Sequence, residues 1–165
     1  MYKRSFYSKK RLKRSKTPND LSVLQRKADA IFSDYTRVKD TNDDGIGKCC
    51  TCGKFIQVFL NPEPKLYRIM GGDCGHYQER NKKSTRFEEI NGHLQDRYCN
   101  FYKKGQKDLH AKYIEERYGI EVREKLDRKS RNIVHDYRMI LIWAIQHYTE
   151  KFEAALAARH IAVGG

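Results

Sequence analysis

Cys49 and Cys52 stand two residues apart, and far downstream Asp96 and Cys99 repeat that spacing. Two residues between cysteines let both thiolates reach one tetrahedral zinc ion, although redox pairs share the spacing. The downstream repeat favours the metal: it asks for one site built from two distant segments, a demand that few folds satisfy. The chain has five cysteines, an odd number, with Cys49, Cys50 and Cys52 crowded together. That is not a disulfide framework, and it suits a reducing compartment. Aspartate is a rarer ligand than cysteine at a structural zinc. The expectation is therefore a zinc site of Cys49, Cys52, Asp96 and Cys99 with Asp96 as its weak member, zinc being bound weakly or not at all, and Cys50 as a bystander.

Charge narrows the partner. Lys plus Arg number 34 and Asp plus Glu 21 in 165 residues, so the net charge is 34 − 21 = +13. A polyanion is the expected partner, and nucleic acid is the commonest one. Residues 1–16 hold eight basic and no acidic side chains, with Tyr2, Phe6 and Tyr7 interleaved. They read as a basic arm that contacts phosphates, through Lys9, Lys10, Arg11, Lys13 and Arg14. The arm has no apolar run behind it and so does not read as a signal peptide. The longest strongly apolar run, "MILIWAI" at 139–145, is too short to cross a bilayer. The expected location is the cytoplasm.

Periodicity supplies the frame. Leu21, Leu24, Ala28, Ile31, Phe32 and Tyr35 recur at helical spacing behind Thr17 and Pro18, a capping residue and a first-turn proline. This helix is expected to cover the metal-bearing core. "DTNDDGIG" opens like a calcium loop, but Thr51 stands where the closing Glu belongs, so it reads as a tight turn. "CCTCGKF" reads as a metal knuckle, and "IQVFL" and "KLYRIM" as short strands. Beyond Asn100 the chain reads as helical, broken at Gly105 and Gly119, with a last helix over residues 127–160. In it, Ile133, Tyr137, Leu141, Ala144 and Tyr148 form an apolar stripe. Met139, Ile142 and Trp143 widen the apolar surface. The stripe either packs inside the monomer or joins two copies in a homodimer.

The stretch "GGDCGHYQERNKKSTRFEEINGHLQDRYCN", residues 71–100, carries the chemistry. Asp73 and Asn100 offer the oxygen ligands that a hard divalent cation such as Mg²⁺ or Mn²⁺ prefers. His76 is placed to take a proton from an attacking water. Taken singly, a histidine beside a tyrosine is often only a packed residue, and an Asn after a Cys often only caps a helix. Lys82, Lys83, Arg86, Lys103 and Lys104 flank the stretch as candidate phosphate contacts, or as an ordinary solvated face.

The motifs occur in a telling order: "CTCG", "DCGHY", "RFEEINGHLQDRYCN", then "YKKG" and "YIEERYG". In this the chain resembles the HNH, or ββα-metal, nucleases, and more closely the NinG (Rap) recombination proteins of lambdoid phages. Their pattern is CxxCG, DxGHY and RFxExNxHxQCxxCN. The resemblance covers residues 18–119 and departs at Asp96, where the family has cysteine. It implies an α+β fold, mostly helical, with a ββα-metal core and a zinc-knuckle-like turn flanked by N- and C-terminal helices. With the arm and the last helix read from charge and periodicity, the expected organisation is an arm (1–16), a nuclease domain (17–119) and a C-terminal helical segment (120–165). The implied activity is metal-dependent cleavage of Holliday junctions and other branched DNA, by a phage or prophage protein inside a bacterial host. The site also resembles that of phage endonuclease VII. The resemblance assigns the catalytic cation to Asp73 and Asn100, the base to His76, and its orientation to Asn91. It places His93 near the phosphate or metal, and structural Zn²⁺ at Cys49, Cys52, Asp96 and Cys99. The competing readings are a zinc-knuckle protein that binds nucleic acid without cutting it, and an HNH enzyme that nicks linear DNA.

Deleting residues 1–16 should weaken DNA binding and flatten its salt dependence, since each neutralised phosphate contributes close to one unit of slope in log affinity against log salt. Titrations of the full and shortened chains across a salt series check this; an unchanged slope would place the arm off the DNA.

Overall fold

The computed structural model describes residue 17 and residues 20–60 and 68–158, so the basic arm, the "NPEP" connection and the last seven residues lie outside the described residues. The elements run α1 (Leu21–Lys39), β1 (Ile46–Lys48), β2 (Phe55–Gln57), β3 (Phe59–Leu60), β4 (Arg68–Ile69), β5 (Asp73–His76), β6 (Gly92–Gln95), α2 (Lys107–Tyr118), α3 (Ile120–Lys129) and α4 (Tyr137–Ala157). A 3₁₀ turn, Glu89–Asn91, leads into β6, and a π-helical turn, Tyr98–Tyr102, follows it. The fold is α+β, with the strands paired as three two-stranded antiparallel sheets, β1–β2, β3–β4 and β5–β6. Among the described residues no helix is long and apolar enough to cross a membrane.

Local chemistry sets the helix ends. α1 starts later than Thr17 and Pro18 suggest, because Asp20 caps it: its carboxylate accepts from the Ser22 N–H at 2.9 Å and the Ser22 hydroxyl at 2.6 Å. The expected single helix over 127–160 is two helices. The Ser130 hydroxyl donates to the Asp127 carbonyl at 2.7 Å and helps close α3, and Asp136 caps α4 by accepting from the Met139 N–H at 3.1 Å. Serine and aspartate side chains that bond the backbone locally compete with helix continuation.

α4 folds back on α1. Leu24, Ala28, Phe32 and Tyr35 of α1 meet Tyr137, Leu141, Ala144, Tyr148, Phe152 and Leu156 of α4 in one core. The stripe from Tyr137 to Tyr148 is therefore satisfied within the chain, while Ile133 lies before the helix and is 81% exposed. Met139, Ile142 and Trp143 stay on the outer face. The same core takes in Cys49, Val58, Phe59, Cys74, Phe87, Leu94 and Cys99, so the helix pair and the cysteine-bearing segments share one interior. Phe32 sits at its centre, with its ring centroid 4.8 Å from Tyr148, 5.7 Å from Phe87 and 5.6 Å from His76. Phe32→Ala should cost ~3–5 kcal/mol of stability, measurable by denaturant unfolding.

In the β5–β6 hairpin, Asp73 faces Gln95, Cys74 faces Leu94, Gly75 faces His93 and His76 faces Gly92. A side chain on Gly75 would meet the Gln95 side-chain oxygen at 2.2 Å, so any larger residue there must displace the buried Gln95. His93 is fully buried, 3.1 Å from His110 Nε2 and 3.2 Å from the Tyr118 hydroxyl. Burial, followed by nearby cations, lowers its pKa to about 2, and burial lowers that of His110 to about 4. Below pH 6.5 the unfolded chain therefore binds protons that the folded chain refuses. Stability should fall as pH drops from 6.5 towards 4, by up to ~1.4 kcal/mol per pH unit for each histidine. Thermal unfolding across that range tests this. A melting temperature that stays flat between pH 7 and 5.5 would show that the pair protonates in the folded state.

Candidate metal and hydrolytic site

Two neighbouring constellations meet at the π-helical turn. The first is the thiol cluster. Cys49 and Cys52 enclose a tight turn in which Gly53, at φ +72°, donates its N–H to the Cys49 carbonyl at 2.9 Å. The Cys49 N–H donates to the Lys54 carbonyl, and the Cys50 N–H ties the turn to β6 through the Leu94 carbonyl, each at 2.9 Å. Cys99, from the π-helical turn, closes the group, and the sulfur atoms of Cys49, Cys52 and Cys99 all lie within 4.8 Å of one another. This cluster can hold a metal such as zinc. Burial opposes ionisation of Cys49, but the Asp96, Thr51 and Cys52 N–H groups and the Thr51 hydroxyl outweigh it and hold its pKa below the ordinary thiol value. Burial pushes Cys99 up to about 11, so a metal must displace its proton. Cys50 is buried outside the cluster, its thiol pushed further up by burial, which fits a bystander.

Asp96 lies beside the cluster without belonging to it. Its N–H donates to Cys49 Sγ at 3.2 Å, but its carboxylate is turned away. One oxygen accepts from the Tyr98 N–H at 3.0 Å and caps the helical turn, and the other pairs with Lys54 at 3.4 Å. The cluster thus has three cysteine sulfurs, and Asp96 supplies a cap and a backbone donor.

The second constellation is polar. Asn100 follows Cys99 in the π-helical turn, and its amide nitrogen donates to Asp73 Oδ2 at 3.1 Å. The structure thereby joins two oxygen-bearing side chains that are distant in sequence. His76, Asn100, Cys74, Glu79, Arg80 and Lys104 line a cleft of about 280 Å³. His76 is fixed at one end: Nε2 is 3.1 Å from the Arg86 carbonyl, which can only accept, so Nε2 carries the proton and Nδ1 the lone pair. Arg80 Nε donates to Nδ1 at 3.5 Å. Burial, and after it the Arg80 guanidinium, lowers the His76 pKa to about 4. At neutral pH the ring is an uncharged base.

Other assignments change. Asn91 does not touch His76. Fully buried, it accepts from the Gln78 N–H at 2.6 Å and donates to the carbonyls of Gln78 and Thr85 at 3.0 and 2.9 Å. It staples the loop between β5 and β6 that carries the Arg86 carbonyl, and so positions His76 indirectly. His93 lies away from the cleft, in the His110–Tyr118 network on the other face of the hairpin. Arg86 is not a surface phosphate contact: it is 9% exposed and makes a two-pronged pair with Asp29 at 2.8 and 2.7 Å. The paired carboxylate satisfies its charge and removes it from DNA. Lys82, Lys83, Lys103 and Lys104 are exposed, and Lys104 lines the cleft. Lys9, Lys10, Arg11, Lys13 and Arg14 lie outside the described residues.

Two cleft residues carry no motif that marks them. Glu79 and Arg80 follow "GHY" as ordinary surface charges, and only their short distance in sequence from His76 hints at their place. The backbone after the π-helical turn is also unusual: Lys104, Gly105 and Gln106 all have positive φ, at 51°, 78° and 47°. Such a run is costly for the two non-glycine residues and commonly marks a functional site. Searches of protein families, curated proteins and solved structures find no match to this chain.

Asp96→Cys should tighten zinc binding by adding a fourth thiolate, and lower metal-free stability by ~0.5–2 kcal/mol through loss of the cap. Zinc competition with a chromogenic chelator and melting curves with and without zinc check both halves; unchanged zinc affinity would show that residue 96 cannot reach the cluster.

Proposed function

We propose that this protein is a metal-dependent, structure-selective DNA endonuclease that cuts Holliday junctions and other branched DNA, as its resemblance to the NinG (Rap) proteins implies. In that reading it acts during phage recombination inside a bacterial host. The observation that carries the proposal is that Asn100, hydrogen-bonded to Asp73, shares with His76 a cleft edged by Arg80 and Lys104. Under this reading the β5–β6 hairpin and the π-helical turn form a ββα-metal core.

The side chains suit a hard cation: Asp73 offers a carboxylate, and Asn100, whose amide nitrogen donates to that carboxylate at 3.1 Å, would turn its oxygen to the metal. Bound there, Mg²⁺ or Mn²⁺ would neutralise charge that builds on the phosphate and leaving oxygen. The remaining work falls to the chain. The Arg86 carbonyl holds the His76 tautomer with Nδ1 as base, and Nδ1 takes a proton from the attacking water. Arg80, which rests on Nδ1 without DNA, swings to an incoming phosphate oxygen and frees the lone pair. Lys104, which also lines the cleft, adds positive charge. The +13 net charge supports a polyanionic substrate, and recognition by backbone and shape suits a branched one. A zinc-bearing cluster of Cys49, Cys52 and Cys99 serves structure.

Matched four-way junction and linear duplex, each with magnesium or with chelator, test the proposal. Junction cleavage in magnesium alone is expected. Binding without cleavage under every condition would leave a nucleic-acid-binding zinc knuckle, and equal nicking of linear duplex would leave a general HNH enzyme. His76→Ala should cut the rate by ~10²–10⁴-fold while junction affinity stays near wild type. With its pKa lowered to about 4, His76 is deprotonated above that pH. His76 should therefore impose no loss of rate between pH 7 and 5. A rate that halves near pH 6.5 would put the base elsewhere or show it solvated.

A further inference from the structure

The π-helical turn that supplies Cys99 and Asn100 also presents three aromatic rings to solvent. Tyr98, Phe101 and Tyr102 are 57%, 70% and 68% exposed. Their rings form a continuous group: Tyr98 and Tyr102 have centroids 5.6 Å apart, and Phe101 and Tyr102 5.2 Å apart. Exposing three large rings together is unfavourable in water, and a core lies one residue away at the buried Cys99, so the sequence spends no effort hiding them. Cations outnumber carboxylates around them: residues 96–108 contain Arg97, Lys103, Lys104 and Lys107 against Asp96 and Asp108. The Lys103 ammonium lies 5.3 Å from the Tyr98 ring centroid, and Lys104 reaches from the same segment into the hydrolytic cleft.

We propose that Tyr98, Phe101 and Tyr102 form a stacking platform for unpaired nucleobases of DNA, with Lys103 and Lys104 holding the adjoining phosphates. Flat π-faces stack on any base, and interleaved cations track the backbone, which is the chemistry of sequence-tolerant single-strand binding. A second copy of this chain, itself at +13, is repelled by the same cations, so charge favours a polyanion as occupant. The inference rests on the nuclease reading in one respect: it explains how a branched substrate is told from a duplex. Bases that are unpaired at a branch point, or that open there when a fully paired junction is bound, stack on the turn, and the phosphate beside them enters the cleft next to Asn100.

The test is binding, in chelator, so that no cleavage is needed. The full chain is titrated with oligothymidylate and with a branched DNA carrying 2-aminopurine at an unpaired position next to the branch. Phe101→Ala and Tyr102→Ala should each weaken oligothymidylate binding by ~5- to 150-fold, the range expected for one stacked base. The slope of log affinity against log salt should stay unchanged, because phosphate contacts remain. Phe101→Tyr should bind like wild type, and 2-aminopurine fluorescence should be quenched by wild type and not by the alanine variants. Lys103→Ala should instead lower the salt slope. These outcomes stand whether or not magnesium supports cleavage, so failure of the nuclease reading is visible separately. Alanine variants that bind both DNAs with wild-type affinity and still quench 2-aminopurine would overturn the proposal. So would variants whose only change is a loss of self-association in sedimentation, which would assign the rings to a second copy.

Discussion

The convergence of three sulfur atoms from Cys49, Cys52 and Cys99 within 4.8 Å is the constraint on which the rest of the site depends. It joins a turn that follows β1 to the π-helical turn that follows β6. Asn100 is the next residue after Cys99, so wherever the cluster holds that turn, the amide is set against Asp73. Small strands of two to four residues cannot impose such a join through their own pairing. A metal bond, at far higher energy than a hydrogen bond, can. The turn is also supported without metal, since the Thr51 hydroxyl contacts Cys49 Sγ at 3.3 Å and accepts from the Gln95 amide at 3.1 Å.

Two further devices complete the geometry. The Asn91 staple holds the loop between β5 and β6, and the Arg86 carbonyl in that loop fixes the His76 ring. The Arg86 side chain, locked onto Asp29 of α1, fastens the same loop to the helix pair. Behind it, the Tyr148 hydroxyl donates to the Phe87 carbonyl at 2.5 Å, and Glu89 accepts from Tyr35 at 2.6 Å and pairs with Lys151. The long helices α1 and α4 therefore serve as a rigid backing. They turn a loop that has little regular structure of its own into a defined wall of the cleft.

Much of this was legible in the sequence where spacing reports geometry directly. Cys-x-x-Cys implies a turn, and the spacing of Leu24, Ala28, Phe32 and Tyr35 implies a helix face, whereas "DCGH" carries no alternation that marks it as the strand β5. What the sequence hid depends on partners far away in the chain. Arg86 reads as a surface cation until Asp29, fifty-seven residues earlier, is found against it. His93 matches a motif position, but the register sets it opposite Gly75, one residue out of phase with His76, so its side chain leaves on the other face of the hairpin, where it meets His110 and Tyr118. Asp96 repeats the cysteine spacing, yet a carboxylate at the start of a helical turn has a competing use as a cap, and the structure shows that use. The break between α3 and α4 was missed because apolar periodicity resumes in phase after it, while the signals for it are the small polar side chains of Ser130 and Asp136.

The central claim is that a three-thiolate metal clip sets the position of Asn100. Zinc content together with X-ray absorption at the zinc edge, on full-length protein purified without chelator, tests it most directly. The account predicts one zinc per chain, with three sulfur neighbours at ~2.3 Å and one lighter atom completing the shell. A protein purified with no bound metal, or with a zinc ion that has no sulfur neighbours, would contradict it.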